Sequence, residues 1–197
     1  MNAAKVAAGI GAKVTILQRS EARMRYLETV LPPNVEILKF DEANLLESLK
    51  TADVIISGLL SAGTKAPKVI TRNMLKLMKR GSVIVDVAVD QGGTAETTKP
   101  TSHSSPTYEI DGIIHYCVAN MPGAYSATST TGITNATLPY ALAIAKKGYR
   151  EALLHDKALM KGLNMIDDKV TNRGVAEAFN LKYWPPEEAL STRTTKP

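Results

Sequence analysis

The chain has 197 residues, 44% of them apolar and 22% charged, which allows one large domain with a true core, or one domain with an appendage. The formal charge of +5 is scattered and aromatics make up only 5%, so no basic, aromatic-interleaved surface for nucleic acid is present. A single cysteine, Cys117, excludes an internal disulfide framework, no apolar run is long enough to span a bilayer, and no signal-peptide pattern opens the chain; an intracellular, cytoplasmic protein without a metal site is expected.

Taken in order, Asn2 to Gly11 is Ala-rich and ends in glycine, which predicts a short helix packed closely on a sheet. Val14 to Leu17 reads as a buried strand, and ARMRYLETV follows with Met24, Leu27 and Val30 at helical spacing. The Pro32-Pro33-Asn34 turn precedes a second strand, Val35 to Leu38. A short helix at Leu45 to Leu49 and a third strand at Asp53 to Gly58 come next. Leu59 to Pro67 forms the loop at that strand's end. Met74 to Met78 predicts an amphipathic helix closed by Arg80-Gly81, before a strand over Val83 to Val89.

The segment GSVIVDVAVDQGG, Gly81 to Gly93, carries the strongest local signal. Its β-branched apolar run is the composition of a strand covered on both faces, interrupted by Asp86 and ended by Asp90. Ligands of open α/β sheets bind at the carboxyl ends of strands, so an Asp there, followed by a Gly-Gly turn that admits close backbone approach, is a candidate site. An Asp capping a loop through its own backbone accounts for the same residues.

Beyond it, Gly92 to Asp111 is polar and turn-rich, too long for a simple connection. Ile113 to Val118 predicts a last strand, with Cys117 as a buried thiol. Ser129 to Lys147 predicts a long helix kinked at Pro139, Leu153 to Leu163 and Val175 to Phe179 two shorter ones, and the terminal STRTTKP disorder.

Strands and helices alternating in this way predict an α/β fold, a doubly wound parallel sheet of Rossmann type. Such a sheet opens with a strand and a G-x-G-x-x-G turn that holds a pyrophosphate. Here no strand precedes the first helix, and Gly9-Ile10-Gly11 stands at that helix's far end as a stop.

Five ordered strings, VTILQRS, LLSAGTKAPK, GSVIVDVAVDQGGTAETTKPTSH, HYCVANMPGA and TNATLPYALAIAKKGYREAL, closely resemble the alanine dehydrogenase family, which is related to the NAD-binding subunit of proton-translocating transhydrogenase. The resemblance runs from about Asn2 to Leu190 and implies the C-terminal part of such an enzyme, without the N-terminal substrate domain and the glycine-rich turn. It implies an incomplete NAD(P)-binding domain over residues 1–128. Residues 129–197 then supply the interdomain helix, with Pro139 a candidate hinge, and the end of the substrate domain.

Carried over residue by residue, the resemblance makes Asp90 the active-site aspartate beside nicotinamide and substrate. Val87, Ala88, Val89, Val118, Ala119, Asn120 and Met121 match positions lining the nicotinamide and its ribose, and Leu59 and Leu60 the loop along the cofactor. For the apolar members, ordinary strand-end packing is an equal reading. Arg23 matches a basic position near the adenosine end, where a solvated helix charge serves equally well. Gln18 departs from the pattern, because members that use NAD usually carry an acid there. NAD is the expected cofactor, and Gln18-Arg19-Ser20 leaves NADP open.

The implied reaction is NAD-dependent, reversible oxidative deamination of L-alanine to pyruvate and ammonia, in a complete enzyme that is often a homohexamer. A non-catalytic or transhydrogenase-like NAD(H)-binding module is the alternative. His103, His115 and His155 match no catalytic position and read as loop, strand and solvated helix. In the usual strand order the absent first strand is central. The resulting unpaired buried amides and carbonyls each cost roughly 1–3 kcal/mol against a domain stability of about 5–15 kcal/mol, so the chain alone is expected to be unstable or aggregating and inactive.

Overall fold

The structure is a computed structural model that describes residues 1–59 and 65–191. The chain divides into two compact units: Met1–Leu59 with Pro67–Ala119 form the first, and the residues from Asn120 onward belong to the second.

The first unit begins with α1 (Asn2–Gly9). Its end is made as the glycines suggest: Gly11 takes φ +89°, and the Ala12 amide donates back to the Ala7 carbonyl at 3.0 Å. β1 (Val14–Gln18) pairs in parallel with β2 (Val35–Lys39), Val14 facing Val35 and Gln18 facing Lys39. Between them runs α2 (Glu21–Val30), whose N-cap Ser20 accepts the Arg23 amide. α3 (Glu42–Thr51) is longer at both ends than its apolar core suggests, and its N-terminus is set by the Asp41 carboxylate, which accepts the Asn44 amide.

A second sheet holds β3 (Val54–Ser57), β4 (Val83–Asp86), β5 (Thr107–Ile110) and β6 (Ile113–Tyr116) in the order β3-β4-β6-β5. β3, β4 and β6 are parallel, with Ser57 opposite Asp86 and Val85 opposite Tyr116; β5 is antiparallel at the edge. The α/β class with parallel strands is therefore as expected. The parallel strands nevertheless fall into two sheets, since among the described residues β1 pairs only with β2 and β3 only with β4. On β3, Val54 and Ile56 are about half exposed.

Several elements differ from the sequence reading. Residues Asn73–Leu77 form a 3-10 helix, not an α-helix. β4 stops at Asp86, three residues early, because the Asp86 carboxylate takes the Ala88 amide and turns the chain. The polar stretch after Gly92 contains β5, joined to β6 by a two-residue turn at Asp111 (φ +54°) and Gly112 (φ +86°). An Asp-Gly pair is a hairpin signal that the composition of the surrounding segment obscures. Arg72 holds that Asp111 through two guanidinium hydrogen bonds of 2.9 and 3.2 Å, keeping its carboxyl below the usual range.

The core of this unit gathers Leu49, Ile70, Leu75, Met78, Ile84, Ala95 and Ile113, so residues of the long polar segment pack with the strands. Beside it lies a buried polar cluster. His115, without exposed surface, bonds Thr97 Oγ1 at 2.8 Å and the Ile113 carbonyl at 3.0 Å, and its ring stacks on Tyr108 at 5.0 Å. Tyr108 donates to the Thr97 carbonyl at 2.8 Å, and Cys117 is fully buried next to it, as a structural thiol.

Burial holds the His115 imidazole below its ordinary pKa. The unfolded chain therefore takes up the proton first. Stability is full above about pH 6.5, the unperturbed value, and declines as pH falls from there through the lowered folded value. Urea midpoints at pH 7.5 and 5.5 check this: the decline should be shallower in His115→Gln, and an identical decline in both proteins contradicts it.

The second unit contains α4 (Ser126–Lys147), continuous through Pro139 and beginning three residues earlier than expected, with no buried residue among its 22. α5 (Tyr149–His155) and α6 (Lys157–Met160) replace the single helix read over 153–163, because the Asp156 carboxylate accepts the Ala158 and Leu159 amides and starts a new helix. A small hairpin, β7 (Met165–Ile166) and β8 (Lys169–Val170), precedes α7 (Arg173–Ala178) and α8 (Pro186–Ser191). Leu153, Ile166, Ala189 and Leu190 form its core. No helix among the described residues is long and apolar enough to cross a membrane.

Candidate functional site

In the four-stranded sheet the parallel strands β3, β4 and β6 end side by side, so the segments after Ser57, Asp86 and Tyr116 share one edge. That edge is where an open α/β sheet presents ligands. Leu59, Val87 to Asp90, and Val118 with Ala119 all follow these strand ends.

Asp86 organises the middle segment. Its carboxylate has no exposed surface and accepts five hydrogen bonds. The Ala88 amide donates to Oδ1 at 3.1 Å. Oδ2 receives the Thr94 amide at 2.6 Å, the Thr94 hydroxyl at 3.2 Å, the Ala95 amide at 3.4 Å and the Thr98 hydroxyl at 2.6 Å. The loop from Ala88 to Thr98 is thus wrapped around one buried acid.

Neighbouring strands tie down the same loop. The Val87 amide donates to the Ser57 carbonyl at 2.8 Å, and the Ser57 and Thr94 hydroxyls are hydrogen-bonded at 2.7 Å. Lys68 places its ammonium on the Gly92 carbonyl at 2.5 Å and the Ala95 carbonyl at 2.9 Å. The Gly-Gly turn also has a definite reason. Gly93, at φ +75°, would put a Cβ 2.2 Å from Thr98 Cγ2 and 2.7 Å from Asp86 Oδ2, so its missing side chain lets loop and acid meet. Gly92, at φ +91°, faces open space.

Asp90 rides on this scaffold. It is exposed, in the short 3-10 turn Val89–Gln91, and among the described residues its carboxylate has no hydrogen-bond or ion-pair partner. Val87 beside it is 51% exposed, an apolar surface at a strand end. Ala88, Val89 and Val118 are buried, so their side chains pack in the unit's interior, whereas Ala119 is exposed. Leu59 is half-buried, and Leu60 lies outside the described residues. Asn120, exposed and left-handed at φ +56°, and Met121, half-buried at the start of the 3-10 helix Met121–Tyr125, open the second unit. One polar atom near Asp90 lacks any partner: Gln91 Oε1 is buried without a hydrogen bond among the described residues.

Gln18 and Arg23 stand on the other sheet, at the end of β1 and on α2. Gln18 folds onto its own backbone, its Oε1 accepting the Arg19 and Ser20 amides at 2.8 and 3.2 Å. The Arg19 guanidinium lies over Phe40 at 4.8 Å and that of Arg23 over Tyr26 at 4.6 Å. His103 falls in the loop before β5, and His155, exposed, ends α5.

Sequence reasoning passed over Asp86, Thr94, Thr98, Ser57 and Lys68. Asp86 was detectable in principle: an acid inside a run such as SVIVDVAV, covered on both faces, must be supplied with donors by its surroundings. Which residues supply them depends on how the loop folds back, and no local pattern encodes that.

A family model described as "Alanine dehydrogenase/PNT, C-terminal domain" matches residues 1–173. The chain belongs to this family. An alanine dehydrogenase of Methanococcus maripaludis is 50% identical over 191 residues, covering 96% of this chain and 51% of that protein. One of Halomonas elongata is 50% identical over 182 residues, covering 92% and 49%. Among solved structures, an L-alanine dehydrogenase superposes with a TM-score of 0.79 at 44% identity, over 90% of this chain and 49% of that one. A transhydrogenase from Sinorhizobium meliloti does so at 0.58 with 27% identity, over 66% and 36%. This member of the alanine dehydrogenase/PNT C-terminal domain family therefore spans about half the length of the curated relatives it matches, and the resemblance read from its strings is borne out.

Proposed function

We propose that this chain is the cofactor-binding half of an NAD-dependent alanine dehydrogenase. Residues 1–128 would bind the dinucleotide, and residues 129–197 would connect to the substrate domain. The observation that carries the reading is Asp90: an exposed carboxylate, without a partner among the described residues, on a braced turn at the end of a central parallel strand, in a chain of this family. In the whole enzyme L-alanine, NAD and water give pyruvate, ammonia, NADH and a proton.

The strand-end residues fit a nicotinamide. Val87 offers an apolar face, and among the described residues Gln91 Oε1 is an acceptor without a donor and Asp90 a carboxylate without a hydrogen-bond or ion-pair partner. Bound there, the nicotinamide supplies the hydride acceptor. Asp90 then holds the substrate nitrogen, or the water that adds to the imine, through a charge-assisted hydrogen bond and passes a proton outward. Leu59 and Ala119 would line the same sheet edge, the buried Ala88, Val89 and Val118 would back it, and Arg23 would face the adenosine end. A homohexamer is the proposed assembly of the complete enzyme.

The test is NADH formation from L-alanine by this chain, alone and co-expressed with the part of the Methanococcus maripaludis relative that it does not match. Activity restored by that partner supports the proposal. Co-purifying halves that bind NADH and never turn over alanine favour the second reading, a transhydrogenase-like binding module, which the likeness to the Sinorhizobium meliloti structure keeps in play.

The proposed cofactor is NAD with NADP tolerated, because Gln18 spends its acceptor on its own backbone and brings no charge to a ribose. Gln18→Asp should raise the NAD-over-NADP ratio of kcat/KM about tenfold, the size expected for a charge-assisted hydrogen bond gained with one cofactor and repulsion with the other. An unchanged ratio places the ribose elsewhere.

A further inference from the structure

We propose that Asp86 is a positioning residue for Asp90: the hydrogen bonds converging on its buried carboxylate set the turn from which the Asp90 side chain projects. The proposal rests on the reading of Asp90 given above.

The path is short and continuous. Asp86 Oδ1 holds the Ala88 amide at 3.1 Å. The Ala88 carbonyl in turn accepts the Gln91 amide at 2.9 Å and the Gly93 amide at 3.0 Å, and the Val89 carbonyl accepts the Gly92 amide at 2.9 Å. Asp90 lies inside this pair of interlocked turns. Asp86 Oδ2 fixes the far side by holding Thr94, Ala95 and Thr98. Both oxygens of one acid therefore grip the two ends of the segment that carries Asp90. With no hydrogen-bond partner of its own among the described residues, Asp90 takes its position from that backbone.

The identity of residue 86 matters for a specific reason. Every partner is an N–H or a hydroxyl, an arrangement that a carboxylate satisfies because it accepts at all its lone pairs. An amide at this position would turn an N–H2 group toward backbone N–H donors on one side or the other, and one end of the loop would let go. Small displacements of a reacting group are costly to rate: about 1 Å corresponds to roughly 100-fold.

The experiment pairs Thr98→Val, which removes the 2.6 Å hydroxyl donor at nearly constant shape, with Thr98→Ser, which keeps it, and adds Asp86→Asn. In the chain complemented by its partner half, Thr98→Val should lower kcat for alanine at least about tenfold. Its KM for NAD should stay within about twofold, and the pH dependence of kcat should change. Thr98→Ser should stay near the parent in all three. Asp86→Asn should act in the same direction and further; should it not fold, the Thr98 pair decides.

If Asp90→Asn abolishes turnover while Thr98→Val leaves kcat and the pH profile unchanged, the positioning role is overturned and the function stands. If Asp90→Asn turns over alanine normally, the reading of Asp90 is wrong and this role falls with it. A readout that needs no turnover is the 13C carboxyl resonance of Asp90 in the chain complemented by its partner half. It should shift in Thr98→Val and not in Thr98→Ser, and an unmoved resonance overturns the proposal.

Discussion

Asp90→Asn should reduce alanine-dependent NADH formation by about 100-fold or more in the complemented enzyme, the usual range for losing a group that handles protons in the transition state. The substitution is nearly isosteric. It replaces an exposed carboxylate with no hydrogen-bond or ion-pair partner among the described residues, so it leaves no buried donor unsatisfied and disturbs no ion pair. Thermal stability should therefore match the parent, and NADH affinity should stay within a few-fold, because the loss belongs to the chemical step rather than to ground-state binding. Steady-state kinetics with a fluorescence titration of NADH measure both quantities. Equal losses of affinity and turnover would recast Asp90 as a binding residue, and intact turnover would remove it from the active site.

Gly93→Ala should be the most damaging single-methyl change in the described part of the first unit. The new Cβ would stand 2.2 Å from Thr98 Cγ2, 2.5 Å from Thr98 Cβ and 2.7 Å from Asp86 Oδ2, at a backbone φ of +75°. Overpacking costs about 1–3 kcal/mol, and the left-handed conformation adds roughly 1–2 kcal/mol for a residue with a Cβ. A loss of about 3 kcal/mol or more is expected. Gly92→Ala provides the internal comparison, since the same methyl meets open space at φ +91° and should cost only the backbone part, about 1 kcal/mol. Denaturant midpoints of the two variants measure the difference. Equal losses would mean that the contact with Thr98 and Asp86 relaxes freely and that the turn's backbone alone selects glycine.

Much of the fold was legible where one local rule sufficed. Val14, Ile16, Val35, Ile37 and Ile55 announce parallel strands through β-branched composition, although each of them is only partly buried, and Gly11 announces the end of α1. Where two rules competed, the reading failed. Val83 to Val89 has strand composition throughout, yet Asp86 captures the Ala88 amide, and a local hydrogen bond outweighs β-propensity. Asp156 likewise splits a continuous helical pattern by capping a new turn. β5 was hidden because an edge strand with one exposed face carries Thr107 and Glu109 and lacks an apolar run.

The candidate site divides in the same way. Asp90, Val87 and the Gly92-Gly93 pair were recognisable from the sequence alone, because their position at the end of an apolar run and their ordered strings travel with the chain. That Asp86 anchors them, that Thr94 and Thr98 return to it from eight and twelve residues away, and that Lys68 and Ser57 close the loop from other segments was decided only in three dimensions. The physical reason is that local composition and periodicity report which face of an element meets water, while the partner of a buried polar group is chosen by whichever distant donors the folded chain brings within hydrogen-bond reach.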